Sequence, residues 1–252
     1  MTGLKSNIEW IQWGKDDPFW GVATWPNKQK GGSSPWEEPE FYAMGESDWQ
    51  DFLPRWKQYG LRRETCLEVG CGTGRITRPL AEYFDRVYAV DVSEDMIRYA
   101  RSVVGGNVEF SMIDGLHLPQ ANGSVQAVFS THVLQHLDSV EVGYAYFREF
   151  YRVLAPGGTL MVHLPLYALP DDGRVDVLMR PIYAVFRRLL QLRADIRRRI
   201  GMKTMRGTRY PIRSLNTFLI ELGFENIEFR FFPVTRERTD LHPFVLATKP
   251  GP

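Results

Sequence analysis

The sequence predicts an α/β fold in which helices cover a largely parallel sheet. From Thr65 to Leu164, short apolar segments typical of strands alternate with segments whose apolar residues recur at helical spacing. A glycine-rich turn follows the first of these strands, and acidic residues stand close to the ends of three of them. Together these observations predict a ligand crevice at the carboxyl edge of the sheet.

The glycine-rich turn follows a strand predicted from Thr65 to Val69. Its three glycines, Gly70, Gly72 and Gly74, stand at alternate positions. Glycine lets the backbone approach a ligand closely and adopts positive φ angles without steric cost. A nucleoside or dinucleotide is the usual occupant of such a turn between a strand and a helix.

Acidic residues near the strand ends strengthen this interpretation. Glu68 lies two positions before the first glycine, Asp91 ends the second predicted strand and Asp114 ends the third. Because the carboxyl ends of parallel strands meet at one edge of a sheet, the three carboxylates are expected to converge there. Asp91 follows Gly70 by 21 positions, close to the spacing at which an acid accepts hydrogen bonds from ribose hydroxyls. Each acid is alternatively a solvated residue at a strand end.

The N-terminal part is rich in aromatic residues but shows no regular hydrophobic period. All seven tryptophans fall within the first 56 residues, and residues 28–35 have the composition of a mobile loop. A helix is predicted from Ser47, which forms a capping box with Gln50, to Gly60, and Pro54 predicts a kink or an earlier end. Its aromatic residues are expected either to pack this helix on the sheet or to contact a substrate.

The later elements are predicted in a regular order. They are a helix capped by Ser93, a helix from Val140 to Leu154, a strand Thr159–Leu164, a basic helix from near Pro181, a helix Ser214–Leu222 ended by Gly223, and two last strands, Glu225–Phe232 and Pro243–Thr248.

Composition fits one ordinary globular domain with additions. The chain has 252 residues, a formal net charge of +1, a sequence pI near 7.8 and 44% hydrophobic residues. It contains no apolar run of about 18 residues, and its N-terminus lacks the apolar core of a signal peptide. A disulfide between Cys66 and Cys71 would distort the glycine turn, so we expect reduced thiols in a cytoplasmic protein.

A basic segment, residues 174–209, contains eleven Arg or Lys residues against two acids. Three interpretations are open: it grips an anionic substrate, lies on an acidic membrane surface, or is a solvated face. We favour a solvated face together with peripheral contact to a membrane or another anionic surface. Nucleic acid is a less favoured partner, because residues 130–133 lack an Asn/Asp-Pro-Pro-aromatic motif typical of enzymes that act on nucleic-acid bases and no RNA-binding module flanks the core.

Four motifs in order carry a resemblance to a known family: Glu68–Gly74, Val90–Met96, Asp114–Pro119 and Leu154–Leu160. They resemble class I S-adenosylmethionine-dependent methyltransferases, and most closely the small-molecule group that includes quinone-biosynthesis enzymes (methyltransferase type 11). The resemblance implies a Rossmann-like, seven-stranded, mostly parallel sheet with helices on both faces and an antiparallel last strand. It also implies an N-terminal aromatic cap and a helical insertion after the fifth strand.

The resemblance also implies a division of the chain. Residues 1–60 would form a Trp-rich cap and helix, and residues 61–165 the S-adenosylmethionine-binding core. Residues 166–209 would form a basic helical lid, and residues 210–252 the last helix and C-terminal hairpin of the core.

The implied cofactor is S-adenosylmethionine, with S-adenosylhomocysteine as its product. By resemblance the glycine turn seats the methionine portion, Asp91 binds the ribose, and Asp114 with Gly115 binds the adenine. Glu68 would order the turn or meet the methionine amino group through water. The residues expected to bind the cofactor are Tyr42, Glu68, Gly70, Gly72, Gly74, Asp91, Val92, Met96, Asp114, Gly115 and Thr131.

Three histidines are candidate catalytic residues: His132 and His136 after the fourth strand and His163 at the end of the fifth. A base is needed if the attacking group of the acceptor starts protonated. His132 and His136 would share a face on a helix. Zinc is an alternative for this pair, but no Glu follows the first His and no third ligand is apparent, so we expect no metal. Each histidine is alternatively a packing residue.

Three functions are therefore considered. The first is methyl transfer to a small, hydrophobic or aromatic metabolite by direct displacement. The second is a nicotinamide-dependent oxidoreductase, whose fingerprint requires a glycine at the sixth position of the turn, where this chain has Arg75. The third is a non-catalytic binding or scaffold protein that retains the fold. The oligomeric state, the acceptor and the atom methylated are not predicted.

Overall fold

The protein, described by a computed structural model over residues 4–168, 185, 189 and 207–251, is built on one seven-stranded sheet. The strands are β1 Thr65–Val69, β2 Arg86–Asp91, β3 Val108–Met112, β4 Val125–Ser130, β5 Leu154–His163, β6 Leu166–Tyr167, β7 Tyr210–Pro211, β8 Glu225–Val234 and β9 Glu237–Thr248. The large sheet has the order β3-β2-β1-β4-β5-β9-β8, and β6 pairs with β7 in a separate ladder.

Pairing within the large sheet confirms the predicted fold class. Five neighbouring strands, β3, β2, β1, β4 and β5 in that order across the sheet, pair in parallel. The last strand, β9, runs antiparallel to both of its neighbours, β5 and β8. The carboxyl ends of β1, β2 and β4 therefore meet at one edge, where a parallel sheet places its ligands.

Helices cover both faces of this sheet. They are α1 Lys5–Asp16, α2 Pro18–Val22, α3 Glu38–Gln58, α4 Thr77–Tyr83, α5 Glu94–Val103, α6 Val140–Val153 and α7 Ile212–Leu222, with a 3-10 turn at Leu134–His136. The predicted caps of two helices are present: the Ser93 hydroxyl accepts from the Met96 N–H, and Gly223 ends α7 with a φ of 101°.

The N-terminal segment is more regular than the sequence predicted. Helices α1 and α2 occupy a region that showed no period, and α3 begins at Glu38 rather than at Ser47. Pro39 at the start and acidic residues in the first turn of α3 favour that earlier beginning. The predicted capping box at Ser47 is therefore wrong, and the helix continues through Pro54 without ending there.

Two apolar clusters fill the space on the two faces of the sheet. One cluster joins α6 and α7 to residues such as Leu67 and Val128, and the other joins α3, α4 and α5 to residues such as Cys66 and Phe129. Consecutive strand residues point to opposite faces, so strands covered on both faces are apolar at nearly every position. Trp56 of α3 is fully buried, and its indole N–H donates to the Thr159 hydroxyl at 3.0 Å.

A buried charged group connects α3 to the glycine turn and to the C-terminal hairpin. The Asp48 carboxylate, whose side chain is 1% exposed, accepts from Arg75 at 2.5 Å and from Arg236 at 2.7 Å. Burial alone would raise the pKa of Asp48, but the two guanidinium groups hold it below its ordinary value. Gly45, one turn earlier, lets the backbone of α3 lie against the Arg75 carbonyl.

Some predictions concern residues that the structure does not describe. Most of residues 174–209, including the basic helix near Pro181, lies outside the described residues, so the lid stays a prediction. The division of the chain into four units also stays a prediction. In the part that is described, no helix is long and apolar enough to cross a bilayer. Cys66 and Cys71 are buried free thiols.

The Asp48 network predicts a large loss of stability in Asp48→Ala. Removing the carboxylate leaves the buried Arg75 guanidinium without its partner, a change that typically costs about 3–5 kcal/mol. The control is Glu46→Ala on the same helix, because the half-exposed Glu46–Arg78 pair is worth about 0–1 kcal/mol. Urea unfolding of both variants measures the difference.

The same network predicts the direction of a pH effect. Because the folded-state pKa of Asp48 is lowered, its contribution to stability is fully present above the ordinary carboxyl pKa and is lost as the pH falls through the folded value. The difference in unfolding free energy between wild type and Asp48→Ala should therefore shrink in acid. Equal stability of the two proteins at neutral pH would contradict the role given to this charge.

Candidate functional site

The glycine turn has the backbone geometry that the sequence predicted. Gly70, Gly72 and Gly74 have φ angles of 79°, 53° and 87°. A Cβ atom on Gly70 would collide with the side chain of Val133, and one on Gly72 would lie 2.6 Å from Val22. Glycine is required at these positions both for the positive φ and for close packing on both sides of the turn.

Asp91 lies beside this turn and orders its backbone. One carboxylate oxygen accepts from the Gly72 N–H and the other from the Ser93 N–H, both at 2.9 Å. Burial raises the pKa of Asp91, while these two backbone donors oppose the shift. The carboxylate thus joins the turn after β1 to the start of α5.

A hollow of about 70 Å³ opens beside Gly72 and Asp91. The predicted site residues that line it are Gly70, Gly72, Asp91, Val92, Met96, Thr131 and His132. Its other lining residues were not predicted as site residues; they are Trp10, Val22, Val69, Ile113, Val133 and Tyr146. The structure therefore brings together seven of the predicted residues, from the ends of β1, β2 and β4 and the start of α5.

Tyr42, Glu68 and Gly74 stand behind the hollow rather than in its wall. The Tyr42 hydroxyl donates to the Thr73 carbonyl at 2.7 Å, and the Glu68 carboxylate accepts from the Thr77 hydroxyl at 2.6 Å. Burial raises the pKa of Glu68 to about 7. Both side chains order the turn, which is one of the two roles predicted for Glu68.

Asp114 is placed differently from Asp91. Its side chain is mostly exposed and accepts from the backbone N–H groups of Leu116 and His117 and from the His117 ring. The His117 ring and these donors lower the pKa of Asp114 to about 2. Asp114 therefore shapes its own loop, and neither it nor Gly115 lines the hollow.

Helices α1 and α2 form a roof over this site. Trp10 and Val22 line the hollow from above the turn, and the Asn7 side chain donates to the Asp114 carbonyl at 2.6 Å. The first N–H groups of α1, on Lys5 and Ser6, donate to the Asp138 carboxylate at 2.8 and 3.0 Å. A carboxylate at a helix N-terminus satisfies unpaired donors and complements the helix dipole, so Asp138 anchors the roof.

The candidate catalytic histidines separate into two groups. His132 lies in the loop after β4 with a φ of 58°, and its ring centroid is 4.3 Å from that of His163 at the end of β5. A third histidine, His242 on β9, lies within 6.0 Å of both rings by centroid. His242 was not predicted as a site residue, because it stands far along the chain from the other two histidines. It lies two positions before Phe244, which pairs with His163 across the sheet.

His136 lies outside this cluster. It ends the 3-10 turn, its ring meets the edge of Trp10 at 5.0 Å between centroids, and its Nε2 is 3.0 Å from the Gln135 amide nitrogen. His132 and His136 do not share a helix face, because His132 precedes the turn in a left-handed conformation. These contacts place His136 under the roof as a packing residue.

Burial makes the imidazoles of His132 and His163 poor proton acceptors. It lowers the pKa of His163 to about 3 and moves that of His132 well below its ordinary value, with the neighbouring rings adding to the shift. Both rings are therefore neutral near pH 7. Neutral imidazoles at the edge of the hollow can bind a cation or accept a hydrogen bond, but they are weak general bases.

Residues 67–162 match the family model described as a methyltransferase domain. This part of the chain is a class I S-adenosylmethionine-dependent methyltransferase domain. A malonyl-[acyl-carrier protein] O-methyltransferase from Hahella chejuensis is 41% identical over 108 residues, which are 40% of this chain and 38% of the relative. The match thus spans well under half of that relative's length.

Two solved structures resemble the methyltransferase domain together with its additions. Magnesium protoporphyrin IX methyltransferase from Synechocystis PCC 6803, solved with bound SAM, has a TM-score of 0.59 at 17% identity over 99% of both chains. The [4+2]-cyclase SpnF has a TM-score of 0.59 at 16% identity over 100% of both chains. These two likenesses establish the fold.

The closed roof predicts that ligand entry to the methyltransferase domain requires movement of α1. Pockets for small ligands typically measure about 300–1,000 Å³, far more than this hollow. Asp138→Ala should loosen α1 by about 0.5–2 kcal/mol, the usual effect of losing a helix cap. Amide hydrogen exchange across residues 5–16 should therefore become faster.

The control for this experiment is Gln12→Ala, which removes an exposed contact to Asp16 within the same helix. It should leave exchange in the first turn of α1 at the wild-type rate. S-adenosylhomocysteine should also associate faster with Asp138→Ala in stopped-flow fluorescence. If exchange and association match those of wild type, Asp138 does not anchor the roof.

Proposed function

We propose that this protein transfers a methyl group from S-adenosylmethionine to a small, hydrophobic or aromatic acceptor. The observation that supports the proposal best is the hollow where the glycine turn, Asp91 and Met96 meet inside the methyltransferase domain. The sheet also ends in an antiparallel hairpin, whereas the dinucleotide-binding sheet of nicotinamide enzymes has the order 3-2-1-4-5-6. This difference favours methyl transfer over hydride transfer.

The residues of the hollow fit a nucleoside that carries a positively charged sulfur. Gly70 and Gly72 line the hollow with backbone alone, so the chain can approach a ligand closely there, and the Asp91 carboxylate can accept from ribose hydroxyls in addition to its backbone donors. The buried Thr131 hydroxyl has no hydrogen-bond partner among the described residues, which leaves a polar group for a ligand. Bound S-adenosylmethionine supplies an electrophilic methyl group with a good leaving group.

The protein's own contribution is mainly positioning and the exclusion of water. Holding two reactants in line can lower a barrier by about 7–11 kcal/mol. Trp10, Val22 and Tyr146 present apolar surface to the hollow, and α1 and α2 cover it. Such a lining suits an apolar or aromatic acceptor and keeps water from the reacting atoms.

Further properties of the protein are proposed on the same basis. Burial raises the pKa of both cysteine thiols, which accords with reduced cysteines in a cytoplasmic protein. Contact of residues 174–209 with a membrane or another anionic surface stays a prediction. A non-catalytic binding or scaffold protein that retains the fold is the second candidate, because one fold can carry different functions.

A binding experiment tests the cofactor assignment. Asp91→Asn keeps the shape of the side chain but removes its charge, and it should weaken binding of S-adenosylhomocysteine by about 1–3 kcal/mol in calorimetric titration. The matched control is Asp95→Asn on the outer surface of α5, where Asp95 pairs with Arg98. Unchanged affinity in Asp91→Asn, in a variant whose thermal unfolding matches wild type, would mean that Asp91 does not hold the ribose.

A turnover experiment tests the reaction. Purified protein should form S-adenosylhomocysteine when incubated with S-adenosylmethionine and a panel of phenols, quinols and carboxylic acids, including malonyl-acyl carrier protein, the acceptor in the name of the Hahella relative. NADH titrated in parallel should show no binding. Cofactor binding without turnover on any acceptor, including a fractionated cell extract, would favour the non-catalytic alternative.

A further inference from the structure

Three histidines from distant parts of the chain meet beside the hollow. His132 follows β4, His163 ends β5 and His242 lies on β9, and each offers a ring nitrogen such that the three nitrogens lie within 4.8 Å of one another. We propose that these three residues bind one divalent transition-metal ion of the zinc class.

The identity of the ligands favours zinc over magnesium or calcium. Neutral imidazole nitrogen is a preferred ligand of zinc and related transition metals, whereas magnesium and calcium prefer oxygen. Three protein ligands with a fourth position left open is the arrangement of catalytic zinc sites. The notion of a zinc site on His132 and His136 lacked a third ligand, and the structure supplies two others, His163 and His242.

His163 provides independent support, because one of its nitrogens is buried without a partner. The residue is 5% exposed, and its Nδ1 has no hydrogen-bond partner among the residues that the structure describes. Leaving a buried polar nitrogen unsatisfied typically costs about 1–3 kcal/mol, so such atoms are rare without a ligand. A metal ion bound through His163 Nδ1 would give this nitrogen the partner that the described residues do not supply.

His242 has the supporting contact expected of a metal ligand. Its Nε2 lies 3.1 Å from a carboxylate oxygen of Glu237, and the residue is 8% exposed. A carboxylate at one ring nitrogen fixes the proton there, so the lone pair of Nδ1 remains available. Metal-binding histidines usually have such a partner at their second nitrogen.

The charged groups that act on the cluster balance one another among the described residues, so these groups do not create a net positive environment for a cation. Arg75 and Arg236 are the positive neighbours that act on His132. Asp48 pairs with both of them, and Glu237 contacts Arg236 at 3.3 Å as well as His242. Two guanidinium groups are thus offset by two carboxylates.

Backbone strain at His132 points in the same direction. Its φ of 58° lies in the left-handed region, which costs energy for residues other than glycine and is concentrated at functional sites. This conformation brings the ring to 4.3 Å from His163 while the residue also lines the hollow. An ion held here would present its open position at the edge of the hollow.

The open position would bind an oxygen or sulfur atom of a small ligand. A hydroxyl or thiol group that coordinates the ion becomes more acidic and releases its proton to solvent, with no change in oxidation state. The three histidines then act as ligands rather than as bases.

The test uses the full chain without a histidine tag, stripped of metal and then titrated with Zn²⁺ or Co²⁺. One equivalent should bind tightly, and Co²⁺ should give the intense visible absorption of a four-coordinate site. His163→Gln and His242→Gln should lose this absorption and the tight equivalent, and His242→Cys should retain a metal with altered absorption. His117→Gln, at an exposed histidine outside the cluster, should bind as wild type does.

Glu237→Gln gives a finer test, because it leaves all three ligands in place. Loss of such a supporting carboxylate typically weakens metal affinity by about 10–100-fold. Thermal unfolding and titration with S-adenosylhomocysteine, made on the same preparations, separate loss of metal from loss of fold or of the cofactor site. Absence of a tight equivalent in folded wild type, or equal binding by wild type and the two glutamine variants, would overturn the proposal.

Discussion

A single buried carboxylate, that of Asp48, holds the parts of this molecule in the arrangement on which its site depends. It joins α3 to the glycine turn through Arg75 and to the C-terminal hairpin through Arg236, with oxygen–nitrogen distances of 2.5 and 2.7 Å. Arg236 also contacts the Glu237 carboxylate, which in turn contacts the ring of His242. The turn that approaches a cofactor and the strand that carries a cluster histidine are therefore positioned by one charge.

The ion pairs of Asp48 fix the position of α3 more strictly than apolar packing does. Apolar contacts between α3 and the sheet, such as those of Phe52 with Phe129 and Phe244, stabilise the helix but tolerate small shifts along the sheet. The attraction between the Asp48 carboxylate and its two guanidinium partners offsets the cost of burying the charge. A displacement of α3 would weaken that attraction while the charge stayed buried, so it would cost free energy. Asp48 thus fixes the depth and register of α3, and Gly45 lets the helix approach the turn that closely.

The sequence predicted those features that local patterns encode. Periodicity and spacing over short stretches of the chain predicted strands β1 to β4, the positive φ angles of the turn glycines and the position of Asp91 beside that turn. Asp48 and Arg236 are 188 positions apart, and nothing near either of them indicates the pairing. Helix α1 was missed because its apolar residues alternate with polar ones without a clear period, and its docking depends on Asp138, 133 positions from Lys5. His242 was also missed, because its neighbours in space depend on the register of β9 with β5 and β8, which no local pattern encodes.

The features that distinguish this site from other sites on the same fold come from contacts between distant parts of the chain. The fold is shared with a methyltransferase and with a cyclase, so the sheet does not by itself select a reaction. The roof over Gly72 comes from α1 and α2, and the histidine cluster comes from β5, β9 and the loop after β4. His132 lines the hollow and also belongs to the cluster. A ligand that reaches His132 beneath Trp10 is thus held between the cradle for a nucleoside and the three clustered histidines, a combination that neither the core motifs nor the fold specifies.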